Sequence, residues 1–167
     1  TLENFKEKKI VVASNLLNSI IESCEIKKYN VLKKFKGSDF LGTICAHPFL
    51  KLGYELDVPM LDARFVTLEQ GTGIVHCAPS HGPDDFNLCL KHNIPSKYTV
   101  DNSGYYTNEI PFFEKIHVFK ADSIIIEKLK EEKKILKNDH LKHSYPHSRR
   151  SKATLIYRAT PQWFISM

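Results

Sequence analysis

The sequence contains no apolar run approaching the ~20 residues that a membrane-crossing helix needs, so no membrane partner is expected. It also lacks any C-x-x-C pair, and its four cysteines (Cys24, Cys45, Cys77, Cys89) stand apart. That spacing argues against a disulfide framework or thiolate metal site and for free thiols in a reducing compartment. Neither a secretory signal peptide nor a repeat or low-complexity linker is present, and a cytoplasmic setting is expected. Charge of one sign does not dominate. The 24 basic and 19 acidic residues leave a formal +5, which permits a polyanionic partner such as RNA but equally describes a solvated surface. The mixed-sign run Glu127 to Lys134 reads as a water-facing helix side with i,i+4 pairs. The chain begins at Thr1 without methionine and stops at Trp163-Phe164-Ile165-Ser166-Met167. It reads as a piece of something longer.

What is present suffices for a core. A chain of 167 residues with 42% hydrophobic content is sized for one compact domain. Lys8–Ala13 reads as a strand, followed by a helix capped by Ser14 with Leu16, Leu17, Ile20, Ile21 and Cys24 at the helical period. Tyr29–Lys36, Phe40–Phe49, Tyr54–Val58 and Arg64–Leu68 read as further strands, at the short regular spacing of a barrel or sandwich. Pro83–His92 and Ala121–Glu132 read as helices, the second with Asp122 at its start. Asp101-Asn102-Ser103-Gly104 is a turn. Ile116–Phe119, Ile135–Lys137 and Ala153–Arg158 complete the strand candidates.

One stretch is built like a site. Residues 71–86 read G-T-G-I-V-H-C-A-P-S-H-G-P-D-D-F. Gly71 and Gly73 permit a tight turn, Ile74–Cys77 reads as a strand, and Pro83 suits the first turn of a helix. His76 at the strand end and Asp85 at the helix start are expected to face one small concavity. The plain alternative is that Asp84 and Asp85 merely favour a helix start, by ~0.3–1 kcal/mol, and that His76 is a core residue.

Three phrases carry a resemblance across nearly the whole chain. They are the 71–86 stretch, H-S-Y-P-H-S-R-R-S-K from His143, and Y-R-A-T-P-Q-W-F-I-S-M from Tyr157. Together they resemble the editing insertion of the isoleucyl-tRNA synthetases and its return toward the catalytic domain. The resemblance implies a mainly β, α+β fold, a closed β-barrel-like editing domain over 1–142 with peripheral helices, and a return stalk over 143–167. The family's ATP-site signatures H-I-G-H and K-M-S-K-S are absent here. ATP and Mg²⁺ are therefore assigned to a catalytic domain outside these residues, and no cofactor is expected in this segment.

The implied chemistry is proofreading. A missing methylene is worth only ~1–3 kcal/mol in a pocket, a limit for which the isoleucine enzyme is itself the standard example. A second pocket must therefore admit valine and hydrolyse its ester on tRNA. By resemblance, Asp85 holds the substrate ammonium and His76 lines the acyl pocket, where its bulk refuses isoleucine. Gly71, Thr72 and Gly73 scaffold the region near the ribose, and His81 braces the loop. Tyr145 falls where the family places an aromatic near the terminal adenosine, a position that reads equally as a ring packed on the stalk. Trp163 and Phe164 are assigned to the core of the catalytic domain. Expected partners are the acceptor 3′ end of tRNA(Ile), valine as the editing substrate and the rest of the synthetase chain; the segment is expected to be a monomer.

Three departures accompany the resemblance. A threonine-rich T-T-x-P-W-T segment that lines the family's hydrolytic site does not occur here, leaving a non-catalytic holder of the tRNA end as the alternative. Ser148 and Ser151 stand where some members carry zinc-binding cysteines, and neutral serine is a poor zinc ligand, so no metal is expected. Arg149 replaces a usual tryptophan, with no physical account of the benefit.

Overall fold

The helices form where local chemistry is strongest. The computed structural model describes residues 8–69, 71–140, 142, 144–163 and 165–167. Helix α1 (Leu17–Ser23) continues a 3₁₀ turn over Ser14–Leu16, so Ser14 opens the turn and does not cap it. Helix α2 (Pro83–Lys91) starts at Pro83, with Gly82 in extended backbone at its N-cap. Helix α3 (Val118–Glu131) starts earlier than its apolar period predicts and takes Asp122 inside. The ring of His117 explains the early start, since its Nδ1 accepts the Phe119 N–H at 3.3 Å and so meets an orphan donor of the first turn.

The expected closed β-barrel is not there. Among the described residues the only sheet is β1 (Ile44–Ala46) against β2 (Asp57–Pro59), antiparallel, with Cys45 opposite Val58. The remaining pairing amounts to isolated bridges, Val100 with Tyr106, Tyr105 with His117 and His147 with Thr154. A barrel needs every strand paired on both sides. Lys8–Ala13, Tyr29–Lys36, Arg64–Leu68 and Ile74–Cys77 run without a ladder. Many of their apolar side chains remain in water: Leu32 is 69% exposed and Val75 54%. Apolar, β-branched sequence fits a pleated half-buried surface but does not itself supply the neighbour. Ile116–Phe119 and Ala153–Arg158 likewise form no strand, and among the described residues the fold is three α-helices, short 3₁₀ turns and one short sheet joined by coil.

The chain divides into two compact units, Thr1–His76 with Ile125–Asn138, and Cys77–Ile124 with Asp139–Met167. In the first, the β1–β2 turn carries an aromatic group. The His47 ring stacks on Tyr54 at 4.7 Å, and Phe49 lies 5.8 Å from both. Among the described residues of this unit, Leu16, Phe49 and Tyr54 are the buried hydrophobic ones. The second unit buries Cys89, Val100, Phe113 and Ala121. Trp163 is fully exposed, whereas Phe164 and His143 lie outside the described residues.

A single guanidinium ties the second unit's turn to its C-terminal segment. Arg158 donates to the Val100 carbonyl at 3.0 Å, to the Tyr98 hydroxyl at 3.4 Å and to Asn102 Oδ1. Asp101 shapes the turn itself, its Oδ1 accepting the N–H groups of Ser103 and Tyr105. Those backbone donors, Tyr105 first, hold the Asp101 carboxyl below its ordinary range, with help from Arg158. Arg158→Ala is expected to lower stability by about 1–2 kcal/mol, and Arg158→Lys to recover little, because lysine lacks the planar fork. Urea unfolding of the three proteins checks this.

Candidate functional site

Asp85 sits in the third position of α2, where free N–H groups and the helix dipole favour a carboxylate. Its side chain folds back over the preceding loop, and its Oδ2 accepts the Ala78 N–H at 3.0 Å. Gly82 faces the same oxygen: a Cβ there would lie 3.3 Å from Oδ2. Two thiols surround the carboxylate. Burial pushes the Cys77 thiol up, followed by the Asp85 charge and then by Cys89. Burial and Asp85 likewise raise Cys89, one helical turn along α2. Both thiols are held in the protonated form beside the half-buried Asp85 carboxylate. Asp84 is exposed.

The loop 78–82 is fastened from its other side by Ser80 and His81. Ser80, 6% exposed, donates its hydroxyl to the Lys97 carbonyl at 2.6 Å and lies 2.9 Å from the Ser96 hydroxyl. Its own carbonyl accepts the Ala159 N–H at 2.7 Å. Nδ1 of His81 donates to the Tyr157 carbonyl at 2.8 Å, and Nε2 then accepts the Thr99 hydroxyl at 2.7 Å. A carbonyl can only accept, and that fixes the tautomer. Both ring nitrogens of His81 are thus engaged with protein groups.

His76 belongs to the first unit and is exposed. The Gly71–Gly73 turn in that unit is docked by Ala13, whose N–H donates to the Thr72 carbonyl at 2.8 Å. The Thr72 hydroxyl closes the turn by donating to the Ile74 carbonyl at 3.0 Å. Sequence reading missed His47 as a neighbour of His76. Burial, then the His76 charge, lower the His47 pKa below the ordinary histidine value, and its Nδ1 accepts the Phe49 N–H at 3.1 Å. Only the H-P-F tripeptide hinted at it.

A lowered histidine has a pH consequence. The folded chain binds the His47 proton less readily than the unfolded chain, so stability is full above 6.5 and falls as pH drops through the lowered folded value. His47→Gln, which keeps an acceptor for Phe49, is expected to flatten the decline in melting temperature between about pH 6.5 and 5.

Tyr145 is 42% exposed, and its carbonyl accepts His147 Nδ1 at 2.7 Å. Ser148 and Ser151 serve a turn. Ser148 Oγ accepts the Ser151 N–H at 3.2 Å, and Ser151 Oγ accepts the Ala153 N–H at 3.3 Å. Hydroxyls committed to backbone donors do not fit a zinc site.

Residues 3–140 match the family described as the leucyl-tRNA synthetase editing domain. The chain belongs to that editing-domain family. The isoleucine–tRNA ligase of Pelagibacter ubique is 69% identical over 98% of this chain, which covers 18% of that relative. Those of Gluconobacter oxydans and Hahella chejuensis are each 42% identical, over 95% and 94% of this chain and 18% and 16% of their own lengths. The resemblance to the isoleucine branch therefore stands, and the chain spans less than a fifth of these relatives. Among the described residues no helix is long and apolar enough to cross a membrane.

Proposed function

We propose that the chain is the editing module of an isoleucyl-tRNA synthetase, hydrolysing the valyl ester of mischarged Val-tRNA(Ile). The observation that carries this reading is the fixed Asp85 carboxylate at the start of α2, inside an editing-family sequence. Asp85 holds the valine α-ammonium, which places the ester carbonyl next to it. His76 narrows the acyl pocket against the extra methylene of isoleucine. Water attacks the carbonyl carbon, the C–O bond to the ribose breaks, and the ribose oxygen leaves with a proton as valine is released. A neighbouring ribose hydroxyl of the tRNA positions that water. Tyr145 stacks near the terminal adenosine. In the parent protein, ligation of isoleucine with ATP and Mg²⁺ belongs to residues beyond this segment, in the cytoplasm.

The test is turnover. The chain, incubated with Val-tRNA(Ile) in excess, is expected to release more valine than there are protein molecules and to leave Ile-tRNA(Ile) intact. Protection of the ester without release would instead make it a holder of the aminoacylated tRNA end. Equal hydrolysis of both esters would remove His76 from the pocket.

A further inference from the structure

The loop that holds Asp85 is tied to distant parts of the chain by one ring. Asp85 Oδ2 accepts the Ala78 N–H at 3.0 Å, and the Ala78 carbonyl accepts the His81 N–H at 2.9 Å. Ala78 is thus bonded on both sides, to the carboxylate and to the histidine backbone. The ring of that same histidine leaves the loop. It donates through Nδ1 to the Tyr157 carbonyl at 2.8 Å, and its Nε2 accepts the Thr99 hydroxyl at 2.7 Å. Both anchors are themselves held. Thr99 gives its carbonyl to the Thr107 N–H at 3.0 Å and precedes Val100, which is 2% exposed. Next to Tyr157, Arg158 donates to the Val100 carbonyl at 3.0 Å, and Ala159 donates its N–H to the Ser80 carbonyl at 2.7 Å. Consecutive residues 157–159 therefore grip both the loop and the turn after Thr99. All of these groups belong to the second unit.

We propose that His81 is a positioning residue for the Asp85 carboxylate: acting through Ala78, it sets where that carboxylate stands, with Tyr157 and Thr99 as its fixed points. An aspartate side chain turns about two bonds, so its oxygen follows the donor that binds it. That donor is a loop N–H, which aims only as well as the loop is held. A neutral imidazole suits the task, because it donates at one nitrogen and accepts at the other within a rigid plane. The bonds form an unbroken path from the Tyr157 carbonyl through the ring, the His81 N–H and Ala78 to the carboxylate. Such a path carries coupling when loss of one member changes what another contributes. A ring that only braced the fold would be indifferent to the charge at position 85. The inference rests on the editing reading for the reaction it affects, and the path of bonds is independent of that reading.

The experiment is a double-mutant cycle on valine release from Val-tRNA(Ile), run well below the melting temperature of each protein. His81→Ala is expected to lower kcat/KM by roughly 10- to 100-fold, the scale of a misplaced binding group. In the Asp85→Asn background the same change should cost less than about threefold, because the group it positions has already lost its charge. Equal losses in the two backgrounds would overturn the proposal. His81→Asn, whose amide can donate to the Tyr157 carbonyl, is expected to regain at least about threefold over His81→Ala. Thr99→Val keeps the side-chain shape and removes only the hydroxyl, so it carries the same cycle if His81→Ala does not fold. A second measurement needs no substrate. Exchange of the Ala78 amide hydrogen, followed by NMR on the full chain, should be at least about fivefold faster in His81→Ala and in Thr99→Val. Unchanged exchange at Ala78 in both would also overturn the proposal. If wild type releases no valine while Ala78 exchange quickens in these variants, the positioning stands and the editing reading falls.

Discussion

Asp85→Asn is expected to slow valine release sharply while keeping the loop around it in place. Asparagine retains an oxygen that can accept the Ala78 N–H, the contact made at 3.0 Å by the native carboxylate. It loses the charge. If that charge holds the substrate ammonium, the missing charge-assisted contact of ~1.5–3 kcal/mol lowers kcat/KM by roughly 10- to 150-fold. Asp85→Ala removes both functions. It should lose the same activity and also melt about 2–4 °C lower, since a half-buried backbone donor is left without its acceptor. Steady-state deacylation of Val-tRNA(Ile), beside thermal melts of both variants, separates the roles. Full activity in Asp85→Asn would reduce the carboxylate to a loop brace.

The largest stability effect is expected at Gly73. Its backbone sits at φ +79, in the left-handed region, and a Cβ there would meet the Ala13 Cβ at 2.5 Å. Alanine at this position faces a conformational cost of ~1–2 kcal/mol and a carbon–carbon overlap with no flexible atom to yield. Together these should lower unfolding stability by about 2–4 kcal/mol, because the Ala13 N–H bond to Thr72 holds the two backbones at that separation. Ala13→Gly removes the overlap but not the φ cost. The double variant should therefore regain about half the loss, beyond the ~0.5–1 kcal/mol that Ala13→Gly costs alone. Urea unfolding of the four proteins gives the cycle. A double variant no more stable than Gly73→Ala would show that the Cβ contact is not the cause.

The residues that reveal themselves in sequence are those governed by their immediate neighbours. Pro83 with two aspartates announced α2 to within one residue, and the apolar period announced α3. Strands need partners far along the chain, so a β-branched run such as Tyr29–Lys36 carries no information about whether a neighbour pairs with it. Of the proposed barrel, only the β1–β2 ladder formed among the described residues. The same divide runs through the site. The position of Asp85 in the first turn of α2 was legible, but its bond to Ala78 was not, because it depends on how the loop folds back. His81 showed itself as a loop residue, while its partners Thr99 and Tyr157 lie 18 and 76 residues away. His47 became visible only when the turn after β1 brought it toward His76.

The exposure of Trp163 decides what light can report. It is the chain's single indole, and it stands wholly in water. Unfolding leaves its surroundings nearly unchanged, so tryptophan emission will be almost blind to denaturation, which must be followed by circular dichroism or tyrosine signals. Any surface that covers Trp163 will instead shift its emission to the blue. The indole is therefore a gauge of contact, usable in titrations without an added label.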